Sequence, residues 1–333
     1  MKIPTRTVRT AAMAVVLAAA LAGPAMAQAK ETITYGYLLD PSLEGILYAI
    51  KSGKVTSEKI TIKATALSIP ALIQSTPAKR FDVIMNAVMS IPFARKRGLE
   101  LVVLSTALRA APGRKGANIW VKKASPYKTL ADLKGKTIGN FALRSTGTTW
   151  IRIALWKKHG MNVSYKNGDF NWVQIQAPAL LTALESGRID AATLIHAQAF
   201  RAAKSGNYRV LAWTSRDIKG LFGIDTVSAV NVTYPEKLKA RPGAFREFNR
   251  MLRESVLYAM KNVDAVGKAI AKKHRISPEF FKAWLADYSL FPGAIGKQDP
   301  EAMETVWRNA KEMGIIKKVP KASEVIWKHA IRE

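Results

Sequence analysis

Residues 129–149 read Thr129-Leu130-Ala131-Asp132-Leu133-Lys134-Gly135-Lys136-Thr137-Ile138-Gly139-Asn140-Phe141-Ala142-Leu143-Arg144-Ser145-Thr146-Gly147-Thr148-Thr149. Leu130 to Lys136 has the spacing of a helical turn closed at a Gly. Thr137 to Phe141 predicts a strand, and Arg144 to Thr149 opens a helix. The same alternation extends in both directions. Upstream, strands are predicted at 32–38, 60–64, 81–85, 101–104 and 119–121, with helices near 45–53 and 90–97. Downstream, strands are predicted at 172–175, 189–195 and 209–213, with a helix from Pro178 to Ser186 capped by Gly187. Such alternation implies parallel pairing and right-handed crossovers. Thr226 to Val232 reads as a long strand able to return to the first set. From Pro235 the chain is nearly all helical, with helix starts at Ser277-Pro278-Glu279 and Asp299-Pro300-Glu301.

The 333 residues suggest two domains and are enough for a substantial core. Zero Cys excludes disulfides, thiol catalysis, iron–sulfur clusters and Cys-ligated zinc. Four scattered His make a His-cluster metal site an unpromising reading, and no metal or cofactor is expected. There is no Gly-x-Ser-x-Gly elbow and no phosphate loop, so an enzyme is not expected.

Residues 1–27 read as a secretory leader. Lys2, Arg6 and Arg9 precede an apolar run from Ala11 to Ala22, then Gly23-Pro24 and the cleavage site Ala25-Met26-Ala27. The run is shorter than the roughly 17–25 residues that span a bilayer. No Cys follows the site to carry a lipid. The mature chain is therefore expected to start at Gln28 and to be exported to the periplasm.

The formal net charge is +28, from 52 basic and 24 acidic side chains. The three leader cations account for a fall to +25 on cleavage. The remaining excess is spread evenly, 13 basic against 6 acidic residues over 28–118, 16 against 6 over 119–228, and 20 against 11 over 237–333. Nucleic-acid readers usually concentrate charge on one face or arm, so no nucleic-acid partner is expected.

Several segments resemble the nitrate/sulfonate/taurine-type solute-binding proteins of bacterial ABC importers. The opening strand Ile33-Thr34-Tyr35-Gly36-Tyr37 follows the leader directly. Thr129 to Gly139 is similar to that family's "s-l-a-D-L-K-G-K-x-I-a" element. Ser145-Thr146-Gly147-Thr148-Thr149 stands where the family has a Ser/Thr-rich helix start. Ala183 to Ala192 resembles its "A-L-x-x-G-x-I-D-A-a" element. The resemblance implies the α/β type II periplasmic binding-protein fold: two lobes with parallel-rich sheets, two hinge crossovers and a helical C-terminal region. Lobe I would be 28–117 plus 230–333, and lobe II 118–229. Such proteins close on a ligand between the lobes and pass it to an inner-membrane permease with its ATPase. A monomer is expected.

Candidate ligand residues follow from the position of each. Arg144, Ser145, Thr146, Thr148 and Thr149 surround a helix N-terminus, where free N–H groups and the dipole favour anions. Arg144 adds a guanidinium suited to carboxylate or sulfonate; Ser145 or Thr146 as a simple N-cap is the competing reading. Asn86 ends a strand and either donates to an anion or closes a turn. Tyr37 ends the first strand, as ligand wall or as core. Arg109, in the loop after Leu101–Leu104, faces cleft or solvent. Trp150 is a possible apolar wall for a ligand tail or ring, as against plain core. His196 stands where relatives carry an acidic residue, which argues against taurine, whose ammonium needs a carboxylate; it either meets ligand or caps the next helix. Asp40 and Asp225 are the acids left near strand ends. The expected ligand is a small anionic solute of sulfonate or carboxylate class. The alternatives are a neutral heterocycle or vitamin precursor, an exported enzyme on the same fold, and a basic protein binding anionic envelope polymer.

Overall fold

A computed structural model of the protein describes Met1 and residues 30–333. The leader expected at 1–27 therefore lies, Met1 apart, outside the described residues. The chain first lays down β1 (Glu31–Leu38), β2 (Ile60–Leu67), β3 (Val83–Ala87) and β4 (Val102–Ala110). It then crosses to β5 (Asn118–Lys122), β6 (Thr137–Asn140), β7 (Asn171–Gln174), β8 (Ala191–Leu194) and β9 (Tyr208–Ala212). It returns with β10 (Val227–Thr233) and later β11 (Ser289–Leu290). One sheet has the order β11-β4-β10-β3-β1-β2 and the other β7-β6-β8-β5-β9.

Four pairs are parallel: β1–β2, β1–β3, β6–β7 and β6–β8. The other five pairs, around β10, β11, β5 and β9, are antiparallel. Both sheets are thus mixed rather than parallel-rich throughout. The reason is connectivity. β10 arrives from the second sheet and inserts between β3 and β4, so it enters the first sheet running the other way.

Local sequence explains the strands. Edge strand β2 alternates Ile60, Ile62 and Ala64 with exposed Thr61, Lys63 and Thr65, as a half-covered edge requires. Central β3 is buried along almost its whole length. Strand β4 runs six residues beyond the expected Leu104, because Ser105, Thr106, Ala107 and Leu108 are buried against β10. That extension moves Arg109 from the expected loop into a strand. Inside the first sheet the Asn231 carboxamide accepts the Tyr35 hydroxyl at 2.8 Å and donates to Ser105 at 3.0 Å. Three strands are thereby tied by one satisfied polar network.

Helices α1 (Pro41–Ile46), α2 (Tyr48–Lys51), α3 (Ile69–Ser75) and α4 (Ser90–Arg95) connect the first strands. Helices α5 (Thr146–His159), α6 (Ala177–Glu185), α7 (His196–Ser205) and α8 (Thr214–Phe222) belong with the second sheet. Then follow α9 (Pro235–Ala240), α10 (Pro242–Lys261), α11 (Val263–His274), α12 (Phe280–Ala283), a π-turn Trp284–Tyr288, α13 (Asp299–Glu312) and α14 (Ala322–Val325). The expected start at Ser277 is a turn instead. Ser277 accepts the Phe280 N–H with its carbonyl, and α12 begins at Phe280. The aromatic core of Tyr35, Phe245, Phe248, Phe280, Phe281, Trp284 and Trp307 is fully buried. Among the described residues no helix is long and apolar enough to cross a membrane.

Gly139 sits mid-strand in β6 for want of space. A β-carbon there would lie 2.4 Å from Ile189 Cδ1 and 3.0 Å from Leu180 Cδ2. Gly139→Ala is expected to cost about 1–3 kcal/mol by overpacking, read as a lower urea midpoint.

Candidate functional site

Helix α5 begins at the end of β6 and reaches toward the first sheet. Ser145 is its N-cap and accepts the Thr148 N–H at 3.2 Å. The helix ends at Gly160 in the left-handed region, with Lys157, Lys158 and His159 in the last turn, so both ends are capped as its dipole favours. The fully buried Thr146 accepts the Met89 N–H on Oγ1 at 2.9 Å. This bond joins the start of α5 to the turn between β3 and α4, so the two sheets' layers meet at the N-terminus of α5.

Most hydroxyls around this turn are already used. Thr148 Oγ1 lies 2.8 Å from both Asn140 Oδ1 and the Ala142 carbonyl, and Thr149 donates to the Ser145 carbonyl at 2.9 Å. Besides the Thr146 hydroxyl proton, three donors remain. The Thr146 and Gly147 N–H groups have no protein acceptor among the described residues. The Asn140 side chain, fully buried at the end of β6, accepts the Ala142 N–H on Oδ1 at 2.8 Å, while its Nδ2 has no partner. Gly147 is partly exposed. Sequence reasoning missed Asn140. Its signal is the strand-end position, because α/β sheets bind ligands outside the carboxyl ends of their strands.

The other expected residues fall in different surroundings. Asn86 lies within β3 and donates to Thr76 Oγ1 at 2.8 Å. Tyr37 is buried; its hydroxyl donates to Glu44 and receives the Lys51 ammonium at 2.5 Å. Burial pushes the Tyr37 phenol well above its usual range, and Glu44 adds to the shift. Burial raises the Glu44 carboxyl, but the Tyr37 hydroxyl and Lys51 outweigh it and hold it low. The hydroxyl is thus internal to a Tyr37–Glu44–Lys51 cluster. Arg109 makes a two-pronged pair with Asp299, at 2.7 and 2.8 Å, and reaches Glu333 at 2.9 Å. Neither loop nor open cleft holds its guanidinium. Trp150 is buried and donates to the Val227 carbonyl at 3.1 Å, a bond from α5 to the returning strand β10. Asp225 pairs with Arg114 and Lys219, and Asp40 caps α1.

His196 opens α7 with a left-handed φ of 46°. Its ring stacks on Trp284 and accepts the indole N–H on Nδ1 at 2.6 Å. The imidazole is therefore held neutral, with its proton on Nε2. Burial lowers its basicity, and the Asp40 carboxylate opposes that shift. His196 carries no side-chain cap for its own helix. It is a contact to the π-turn of the helical C-terminal region.

Arg144 is exposed, with its guanidinium 4.8 Å from the centre of the Phe93 ring. Together they border a groove of about 450 Å³. Among the described residues no three His, Asp or Glu side chains are grouped as a metal ion would require.

Comparison with known proteins places this architecture. Residues 72–265 match the family model described as NMT1/THI5 like. No curated protein matches the chain. The periplasmic aliphatic sulphonate binding protein SsuA from Escherichia coli has a TM-score of 0.69 at 16% identity, covering 90% of this chain and 98% of that one. The alkanesulfonate-binding protein SsuA from Xanthomonas axonopodis pv. citri, bound to MOPS, has a TM-score of 0.70 at 16% identity, covering 91% and 98%. The ligand binding component of an ABC-type import system from Staphylococcus aureus, with zinc bound, has a TM-score of 0.70 at 15% identity, covering 90% and 97%. At these identities the structural likeness establishes the fold, which is the two-lobed α/β fold of periplasmic binding proteins. The family match covers more than half of the chain, and the protein belongs to the NMT1/THI5-like family.

Proposed function

We propose that the chain is the exported solute-binding component of an ABC importer, holding one small organic anion of sulfonate or carboxylate class between two closing lobes. The lobes would be residues 28–117 with 230–333, and 118–229. The observation that carries the reading is the set of unpartnered donors at the start of α5: Thr146 N–H, Gly147 N–H and Asn140 Nδ2. Three donors with no acceptor among them call for a ligand rich in acceptor oxygens. The helix dipole adds attraction for negative charge there. Family membership and the fold support the same role, since the sulphonate and alkanesulfonate binding proteins from Escherichia coli and Xanthomonas axonopodis share that fold. Binding and release need no bond chemistry, so the reading is a binder and not an enzyme. The hinge would lie where the chain crosses between the sheets, and a membrane permease with its ATPase would receive the solute from a monomeric protein in the periplasm.

The test is thermal denaturation of the protein, lacking residues 1–27, with a panel of sulfonates, carboxylates, nitrate and neutral heterocycles. A true ligand at a hundredfold excess over Kd stabilises by about 2.7 kcal/mol. Asn140→Asp keeps the acceptor oxygen for Ala142 and Thr148 but replaces the free donor with a charge. It is expected to weaken an anion at least about tenfold, the loss of one charge-assisted hydrogen bond. An anion that binds Asn140→Asp as well as the parent would place the site elsewhere. Stabilisation by heterocycles alone would overturn the anionic class.

A further inference from the structure

The groove on the outer flank of α5 has a composition that the proposed solute site does not use. Its lining includes Phe93, Arg144, Thr149, Arg152, Tyr165 and Lys166, and contains no Asp or Glu. None of the three cations pairs with a carboxylate among the described residues. For Arg144 and Lys166, which are exposed, that is ordinary. For Arg152 it is not, because Arg152 is only 6% exposed. Its Nε donates to the Val163 carbonyl at 3.0 Å, and its guanidinium lies 4.0 Å from the centre of the Tyr165 ring. A carbonyl and a ring face orient a guanidinium but leave its charge uncompensated. A buried charge without a counter-charge is costly. Burial indeed lowers the basicity of Arg152, with the Tyr165 hydroxyl only partly opposing it.

The groove therefore presents three positive charges around about 450 Å³, one of them held in place and desolvated. Two guanidinium planes are braced against rings, Arg144 on Phe93 and Arg152 on Tyr165. Arg152 Nε is taken by the Val163 carbonyl, which leaves its Nη groups, and the whole exposed guanidinium of Arg144, for oxyanions. A single carboxylate or sulfonate would neutralise one of the three. We infer that this groove is a binding site for a multiply charged oxyanion, separate from the donors at Asn140, Thr146 and Gly147. Phosphate and polycarboxylate share this chemistry. Phe93 follows Met89 by one helical turn on α4, and Met89 bonds Thr146, so the groove borders the layer where the two lobes meet. An anion held by Arg144, which rests on Phe93 of α4, and by Arg152 of α5 would tie these two layers together.

Isothermal titration of the protein with inorganic pyrophosphate, citrate and acetate, at matched ionic strength, tests this. Pyrophosphate, citrate or both are expected to bind at least tenfold tighter than acetate, and which of the two is tighter identifies the phosphate or carboxylate source. Lys166→Ala, an exposed change that leaves the fold alone, should lower that affinity severalfold. Arg152→Met should abolish the gap between polyanion and acetate. Without anion, Arg152→Met should unfold at no lower temperature than the parent, since it removes an uncompensated buried charge. Asn140→Asp should leave polyanion affinity unchanged, which separates this site from the solute site. Equal binding of acetate and both polyanions, or unchanged polyanion affinity in Lys166→Ala and Arg152→Met, overturns the inference. Loss of polyanion binding in Asn140→Asp but not in Lys166→Ala would assign the anion to the solute site and overturn it equally.

Discussion

Replacing Asp299 by alanine is expected to destabilise the protein by about 3–5 kcal/mol, the range for removing one partner of a buried ion pair. Asp299 is 2% exposed and opens α13. One oxygen accepts Arg109 Nε, and the other accepts Arg109 Nη2, the Thr106 hydroxyl at 2.6 Å and the Gly296 N–H at 2.8 Å. One carboxylate thus joins β4, the segment before α13 and the first turn of α13. Its position at a helix N-terminus adds favourable dipole interaction. Removing it leaves a half-buried guanidinium, a buried hydroxyl and a buried N–H without their acceptor. Glu333, 2.9 Å from Arg109, retains part of the charge balance, which argues for the lower half of the range.

The size of that effect depends on which partner is removed, and this supplies the control. Thr106→Val deletes one hydroxyl from the same carboxylate and should cost only about 1 kcal/mol. The double change Arg109→Met with Asp299→Leu removes both charges together. It should cost less than Asp299→Ala alone, because no buried charge is left unpaired. Urea unfolding midpoints at constant slope would measure all three. A loss below about 1 kcal/mol for Asp299→Ala would mean that Arg109 finds solvent or Glu333 without penalty.

Arg109 also shows where sequence stops being legible. The run Val102 to Leu104 is apolar and announces a strand, but the polar Ser105 and Thr106 hide its continuation. Their burial comes from β10, more than a hundred residues later, pairing alongside. The partner Asp299 is 190 residues away and reads locally as a helix start. The N-terminus of α5 is legible because it is local: Ser145 caps it, the Thr and Gly residues fill its first turn, and Gly160 ends it. Which of its donors stay free is not local. The Thr146 hydroxyl oxygen accepts from Met89 while its N–H stays free, and Asn140 is left with a free Nδ2 because Thr148 and Ala142 engage only its oxygen. Alternation of strands and helices conveys the fold class. It does not convey strand direction, since the antiparallel entry of β10 follows from the chain's return out of the second sheet.

The contact between His196 and Trp284 makes stability depend on pH, and Trp284→Ala is its largest probe. Trp284 is fully buried, stacks on Phe281 and on His196, and donates its N–H to the imidazole. Truncation to alanine removes that packing and is expected to cost about 3–5 kcal/mol. Trp284→Phe keeps most of the apolar volume and deletes the donor, so it should cost about 1–2 kcal/mol. The pH effect follows from the lowered basicity of His196, caused first by burial and opposed by Asp40. A histidine that is harder to protonate when folded contributes stability that is complete above the unfolded value of about 6.5. That contribution is lost as pH falls through the lower folded value, because the unfolded chain then binds the extra proton. Protonation also places a proton on Nδ1, where the indole N–H needs an acceptor. Unfolding temperatures should therefore fall between pH 7 and pH 5 in the parent. His274, whose basicity burial also lowers, contributes to that slope. The difference between the parent and His196→Phe isolates the share of His196, and the variant should show the shallower slope. Since α7 follows a strand of the second sheet and Trp284 stands in the C-terminal helical region, the same protonation weakens a contact between these two parts of the chain. Small-angle scattering at pH 7 and pH 5 should show a larger radius of gyration at the lower pH in the parent. An equal slope in His196→Phe and the parent would show that the imidazole titrates no differently in the folded and unfolded chains.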